Sequence, residues 1–230
     1  MPLSAKIISS GKMTYSIDIR LAFQFKLEHP IGSLACPECE SVMYLVGGLH
    51  RLKHFRHTVK CTSRYSSHPE STEHFYGKSF LRKALRERLS KANVKAEVVL
   101  EYLLPHVGAH GRKADVAAIL PGGDVIVYEC QLASTSVNEL EKRTDDYESN
   151  GIDVTWFLGG AAYTNDNREW SYDRFGDCHK IDIDFSKSVE RIDVSEYNDF
   201  DKESPDRDRY NDFDKESPDR DKPDPPDSSS

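Results

Sequence analysis

Residues 112–131 read R-K-A-D-V-A-A-I-L-P-G-G-D-V-I-V-Y-E-C-Q, two apolar runs rich in β-branched residues on either side of Pro121-Gly122-Gly123. Proline presets φ near about −65° and a glycine accepts positive φ, so the stretch predicts a β-hairpin closed by a tight turn. If Leu120 faces Asp124 across the turn, the register sets Asp115 directly opposite Glu129, with Gln131 on the same face. Two like charges facing each other destabilise a sheet unless a cation lies between them. The pair therefore predicts a divalent-metal site.

The periodicity around this hairpin fixes the rest of the core. Glu73 to Ser90 reads as an amphipathic helix, with Gly77, Phe80, Leu81, Ala84 and Leu85 on one stripe and Glu73 on that same stripe in the first turn. Val94 to Leu104 reads as a strand and Ser136 to Ser149 as a second helix, opened by a Ser136/Glu139 capping box with Val137, Leu140, Thr144 and Tyr147 inward. Ile152 to Leu158 supplies a further strand. The predicted order is α-β-β-β-α-β, an α/β core on a mixed four-stranded sheet.

Ahead of this core, Met13 to Leu27 alternates apolar and polar residues and reads as one or two strands. Then comes Cys36-Pro37-Glu38-Cys39, with His54-Phe55-Arg56-His57 and Cys61 downstream. Two thiolates in a C-x-x-C grip one side of a tetrahedral zinc, and a His/Cys pair about four apart can supply the other. The expected ligands are Cys36, Cys39, His57 and Cys61, with His54 the substitute should the second half use H-x-x-H. Four protein ligands leave no open position, so this zinc is expected to be structural, in a small zinc-ribbon-like β module. An odd number of cysteines, five in all, fits a metal site in a reducing compartment better than a disulfide framework.

Charge is segregated along the chain. Residues 51–95 carry 12 Lys/Arg and 3 acids, whereas residues 96–192 carry 9 bases and 18 acids. A basic stretch beside an acidic site suits an enzyme acting on a polyanion. From Asp193 onward there are 14 acids and 6 bases, which accounts for the whole formal charge of −8. There Y-N-D-F-D-K-E-S-P-D-R-D occurs at 197–208 and again at 210–221. Such a segment buries too little apolar surface to offset its ordering entropy and reads as a disordered acidic tail. The expected domains are thus 1–68, the N-terminal strands and zinc module; 69–192, the core; and 193–230, the tail. Beyond Gly160 the pattern is weaker: Lys180 to Phe185 alternates like an edge strand, Trp170 and Phe175 are expected on the core, and Cys178-His179 is not read as a site. No apolar run reaches the roughly 18 residues of a membrane span and no signal-peptide pattern opens the sequence, so a cytoplasmic location is expected.

The residues carry a resemblance. An α-β-β-β-α-β core with an acid on the first helix, an aspartate on the second strand and E-x-Q on the third resembles the PD-(D/E)xK nuclease superfamily. The segments C-P-x-C, H-F-R-H, E-H-F-Y-G-K-x-x-L, R-K-A-D-V, Y-E-C-Q-x-A-S and the R-x-x-x-Y of Arg143 and Tyr147 are similar to the competence protein CoiA-like family, over about Cys36 to Leu158. The resemblance implies a nuclease-type domain behind a zinc-binding module, with Glu73, Asp115, Glu129 and Gln131 at the active-site positions and Mg²⁺ or Mn²⁺ on Asp115 and Glu129. Gln131 stands where lysine is usual, so Lys113 or Lys78 is expected to supply the missing charge. Lys78, Arg82, Lys83, Arg86, Arg112, Arg143 and Tyr147 are the expected contacts to DNA, single- or double-stranded. The implied activity is metal-dependent hydrolysis of DNA in uptake, recombination or defence. The alternative is a non-catalytic nucleic-acid-binding accessory that recruits a recombination or defence partner.

Overall fold

The computed structural model describes residues 2–48, 51–63 and 71–183. They fall within one compact unit, Met1–Asp184; the second unit, Phe185–Ser230, with the acidic repeat, lies outside the described residues, as does the domain boundary expected between 68 and 69.

Two five-stranded sheets organise the chain. The N-terminal sheet has the order β2-β1-β3-β4-β5 and is antiparallel throughout, built from β1 (Ser4–Ile7), β2 (Met13–Tyr15), β3 (Leu34–Ala35), β4 (Val42–Gly48) and β5 (Arg51–His57). Its small core is Ala5, Ile19, Leu34, Cys36, Met43, Leu45 and Phe55. The alternating stretch Met13–Leu27 forms only one short strand. After β2 the chain makes a turn of 3₁₀ helix and then α1 (Ala22–Glu28), in which Phe25 leans on Phe55 while Phe23 and Leu27 stay exposed. Apolar residues two apart mimicked a strand. The helix is seven residues long, too short for a 3.6-residue period to declare itself.

The second sheet has the order β10-β9-β8-β7-β6 and carries the predicted α-β-β-β-α-β core. In chain order this is α2 (Thr72–Lys91), β6 (Glu97–Leu104), β7 (Arg112–Ile119), β8 (Val125–Gln131), α3 (Val137–Glu148) and β9 (Asp153–Leu158). Both helices start where capping chemistry places them. The Ser71 hydroxyl accepts from His74 N–H, and Ser136 and Glu139 form the reciprocal capping box. β6, β7 and β8 are antiparallel neighbours, while β8 and β9 run parallel across the α3 crossover. One helix precedes the sheet-edge strand at its far end: α4 (Asn165–Phe175), followed by β10 (His179–Lys180), which lies parallel to β9 and makes the sheet five-stranded rather than four-stranded. Trp170 packs edge-on against Trp156 and Phe175 against Trp170, so both aromatics reach the core by way of a helix.

Candidate nuclease-like site

The Pro-Gly-Gly turn sets the register as expected: Leu120 N–H donates to Asp124 O at 2.9 Å, and paired residues run from Ile119↔Val125 to Val116↔Tyr128. Beyond Val116 the ladder ends and the two strands part. Continued by one step, this register brings Asp115 across from Glu129 at the parting. Cys130 N–H, at the same point on β8, donates to Asp115 Oδ2 at 3.0 Å. A side-chain carboxylate thereby satisfies a backbone donor at the place where the strands separate.

Asp115 and Glu129 have different keepers. His74 Nε2 on α2 donates to Asp115 Oδ2 at 2.9 Å. Glu129 is 1% exposed, with Tyr147 Oη donating to Oε1 at 2.5 Å and Arg143 Nη2 lying 2.9 Å from Oε2. Arg143 Nη1 also donates to Gln131 Oε1 at 3.1 Å, and Gln131 Nε2 donates to Ala133 O at 2.8 Å, which fixes the amide with its oxygen toward the guanidinium. Behind this, the guanidinium carbon of Arg143 sits 4.7 Å from the Trp156 ring centroid, and Trp156 Nε1 donates to Thr144 Oγ1 at 3.0 Å. One face of α3 thus holds the two polar side chains of E-x-Q.

The two acids titrate in opposite directions. Burial pushes the Asp115 carboxyl up, but the charge and hydrogen bond of His74, with Lys78 and the Cys130 N–H, outweigh it and hold Asp115 well below the usual carboxylate range. Burial also pushes Glu129 up; Arg143 opposes this, the Asp115 charge adds to it, and the result is a raised carboxyl. The Tyr147 phenol is driven far above its ordinary value by burial and by Glu129 beside it, so it serves as a fixed donor. Half-buried Asp115 and buried Glu129, carrying this mutual repulsion, form a hard-oxygen donor pair of the kind Mg²⁺ and Mn²⁺ prefer. A carboxylate oxygen that accepts one hydrogen bond keeps a second lone pair, so Tyr147 and Arg143 do not preclude a metal on Glu129.

Several expected site residues lie elsewhere. Glu73 is exposed, and its neighbour His74 is the first-turn residue that reaches Asp115. Phe80, expected on the buried stripe, is 63% exposed. Lys78 and Arg82 are buried and do not form a surface for phosphates. Lys78 Nζ donates to Glu101 Oε1 at 3.1 Å, and Arg82 binds Asp18 at 2.8 Å and Val98 O at 3.1 Å. Tyr147 is fully buried on Glu129, and Arg112 pairs with Asp146. Lys113 donates to Glu38 Oε1 at 2.9 Å instead of turning to the acidic pair. Lys83 and Arg86 are exposed, as a surface contact requires.

Two residues escaped the sequence reading. One is His74. The other is Glu101 on β6, a buried carboxylate at φ 54, where a non-glycine residue is strained. Its Oε2 accepts from Leu3 N–H at 3.1 Å, Ser4 N–H at 3.2 Å and Ser4 Oγ at 2.7 Å, and its Oε1 from Lys78. Burial pushes this carboxyl up, but Lys78, Lys113 and Ser4 outweigh it and bring it to about 2. An acid in the middle of E-V-V-L-E-Y-L-L was the signal available.

In the N-terminal sheet, the ligand atoms of Cys36, Cys39, His57 and Cys61 lie within 4.8 Å of one another. Cys39 Sγ is 3.5 Å from both His57 Nε2 and Cys61 Sγ. Ligands about 2.3 Å from a tetrahedral zinc stand roughly 3.8 Å apart, so the cluster fits a zinc ion. His54 turns away, its Nδ1 3.0 Å from Leu52 O. Burial raises the Cys36 thiol to about 12; for Cys39 burial acts the same way, but hydrogen bonds from Ser41, Cys61 and Cys36 outweigh it and bring the thiol to about 6. Glu38, inside the C-x-x-C, is the residue that grips Lys113, and its other oxygen accepts from Ser63 Oγ.

The α-β-β-β-α-β core, with two acids where the central strands part, has the nuclease-like architecture expected from the sequence. Residues 70–179 match the family described as competence protein CoiA, nuclease-like domain. Competence protein CoiA of Bacillus subtilis (strain 168) is 27% identical over 124 residues, which are 54% of this chain and 31% of that protein. Residues 70–179 of this chain are thus similar to the CoiA nuclease-like domain, and the alignment spans less than a third of that relative. A repair endonuclease from Pyrococcus abyssi is 15% identical over 52% of this chain and 49% of its own, with a TM-score of 0.30, and so loose a likeness leaves the site to be argued from its own residues.

Proposed function

We propose that the protein is a Mg²⁺- or Mn²⁺-dependent nuclease that hydrolyses DNA phosphodiester bonds, with a structural zinc in its N-terminal module. The observation that carries the reading is the pairing of half-buried Asp115 with buried Glu129 at the parting of β7 and β8, each acid oriented by its own donors, within a segment similar to a nuclease-like domain. Asp115 and Glu129 would hold the metal, and the rest of its shell would be water and phosphate oxygen. When bound, such an ion polarises the phosphoryl group and makes a water acidic enough to attack it. The protein's own residues do the positioning. His74 fixes Asp115, Tyr147 and Arg143 fix Glu129, and the exposed Lys83 and Arg86 on α2 offer charge to the flanking phosphates. The Cys₃His cluster would hold zinc with all four positions filled by protein, which suits a structural rather than a catalytic ion.

The test is incubation of the purified protein with linear and circular DNA, and with RNA, in Mg²⁺, Mn²⁺ or EDTA. Asp115→Asn and Glu129→Gln should each abolish metal-dependent cleavage while leaving DNA binding in EDTA at least as tight as wild type. Cleavage that persists in Asp115→Asn at saturating Mg²⁺ would remove the hairpin from the mechanism. Binding with no cleavage by the wild type under any metal would leave an accessory protein built on a nuclease scaffold.

A further inference from the structure

Resting on that reading, we propose that Arg143 is a catalytic residue, whose guanidinium contacts a non-bridging oxygen of the scissile phosphate and neutralises charge as it develops there. Hydrolysis forms a bond from a water oxygen to phosphorus and breaks the phosphorus–oxygen bond to one sugar. The water loses a proton to solvent, the departing oxygen takes one up, and negative charge builds on the non-bridging oxygens between. A fixed cation at that point lowers the barrier because it need not reorganise as the charge appears.

The geometry singles out Arg143. Of the cations near the acids, Lys78 bonds to Glu101 and Lys113 to Glu38, whereas Arg143 bonds to Glu129 and Gln131 themselves. Arg143 touches both Glu129 and Gln131, lies over Trp156, and still has a side chain 27% exposed. A guanidinium has five N–H donors in a planar fork. Nη1 and Nη2 each give one bond to the E-x-Q pair, so donors remain for a phosphate at the open edge. The side chain is also pre-paid: ring, carboxylate and amide hold it in one place before substrate arrives. Gln131 is neutral, and the charge its strand does not supply comes from α3, 12 residues on.

The experiment measures single-turnover and steady-state cleavage of linear duplex DNA by the full chain in Mg²⁺. The variants are Arg143→Met, Gln131→Lys with Arg143→Met, and Asp115→Asn. Arg143→Met should lower kcat by about 100-fold, the scale of losing one preorganised donor, with KM changed by less than about threefold. A lysine at 131 reaches the space now held by the guanidinium, so the double variant should recover kcat at least tenfold over Arg143→Met, roughly the worth of a restored charge. A role confined to holding Glu129 would restore the urea midpoint along with kcat, so rescue of kcat at an unchanged midpoint upholds the proposal and rescue that tracks the midpoint overturns it. If wild type cleaves, Asp115→Asn does not, and Arg143→Met keeps more than about a third of wild-type kcat, the proposal is overturned while the nuclease reading stands. If wild type does not cleave, the nuclease reading fails and the proposal with it; if Asp115→Asn cleaves as wild type does, the hairpin leaves the mechanism and the proposal, built on that site, is overturned. Should circular dichroism show Arg143→Met unfolded, the double variant, which keeps a cation against Glu129, decides alone. Folded and within about tenfold of wild type it upholds the proposal; folded and more than about 100-fold down it overturns it.

Discussion

Replacing Glu101 with glutamine removes a buried charge that four donors, Lys78 among them, and the nearby charge of Lys113 stabilise. In the folded protein this carboxyl sits at about 2 against an ordinary 4.5. A tenfold change in proton affinity is about 1.4 kcal/mol, so the network favours the ionised, folded form by roughly 3 kcal/mol. The general cost of stripping one partner from a buried ion pair, about 3–5 kcal/mol, gives the same scale. Because the folded value lies below the unfolded one, the contribution is complete above about pH 4.5 and is lost as the pH falls toward 2. Glu101→Gln should therefore be less stable than wild type by about 3 kcal/mol at pH 7, a fall in Tm of roughly 6–12 °C for a unit of this size. The gap should narrow as acid protonates the wild-type side chain. Urea denaturation of both proteins with zinc present, at a series of pH values from 7 down to 3, measures it. A difference below about 1 kcal/mol at pH 7, or one that does not shrink between pH 5 and 3, would refute the reasoning.

Gly77→Ala should destabilise the fold by about 1–3 kcal/mol, although alanine ordinarily gains about 1 kcal/mol over glycine in a helix, because the new Cβ would lie 2.6 Å from Cys130 Sγ. Thermal melts check the sign, and Cys130→Ala should recover part of the loss in the double variant. The protein should carry one equivalent of zinc, and Cys36→Ser with Cys39→Ser should lose it, as read by metal analysis; under about half an equivalent in wild type would sink the assignment. Tyr147→Phe should cost roughly 1–3 kcal/mol in chemical denaturation, since Glu129 loses a short, buried, charge-assisted hydrogen bond.

What the sequence revealed was whatever short-range rules control. Proline and two glycines between β-branched runs dictate the hairpin and its register, and a C-x-x-C with a spaced His and Cys marks four ligand atoms that converge. The Ser136/Glu139 box starts α3 where expected. The failures involve phase and distance. In the first turn of α2, a rotation of about 100° per residue separates Glu73 from His74, and a stripe that carries buried Lys78 and Arg82 among its apolar members cannot fix the phase that finely. The partners of those cations, Glu101 and Asp18, lie 23 and 64 residues away, and only the fold brings them together. Helix α4 buries little beyond Asn167, Trp170 and Ser171, so hydrophobic periodicity misses it. Its ends were legible, with Thr164 capping Asn167 N–H and Gly176 at φ 79 closing the last turn.

The bonds from Leu3, Ser4 and Glu38 to Glu101 and Lys113 bear on how this domain is inherited. A nuclease-like segment beginning at residue 70 looks like a movable cassette, able to be grafted behind any partner. Cut there, β6 would keep a carboxylate without three of its donors, and β7 a lysine without its acid, both facing the empty side of a sheet. Gene fusion or recombination that moves this segment would thus have to carry the first 40 or so residues with it, or else acquire neutral side chains at 101 and 113 in the same step. The N-terminal sheet and the nuclease-like sheet are joined through Glu101 and Lys113, so separating them is expected to destabilise the second sheet unless both positions are neutralised.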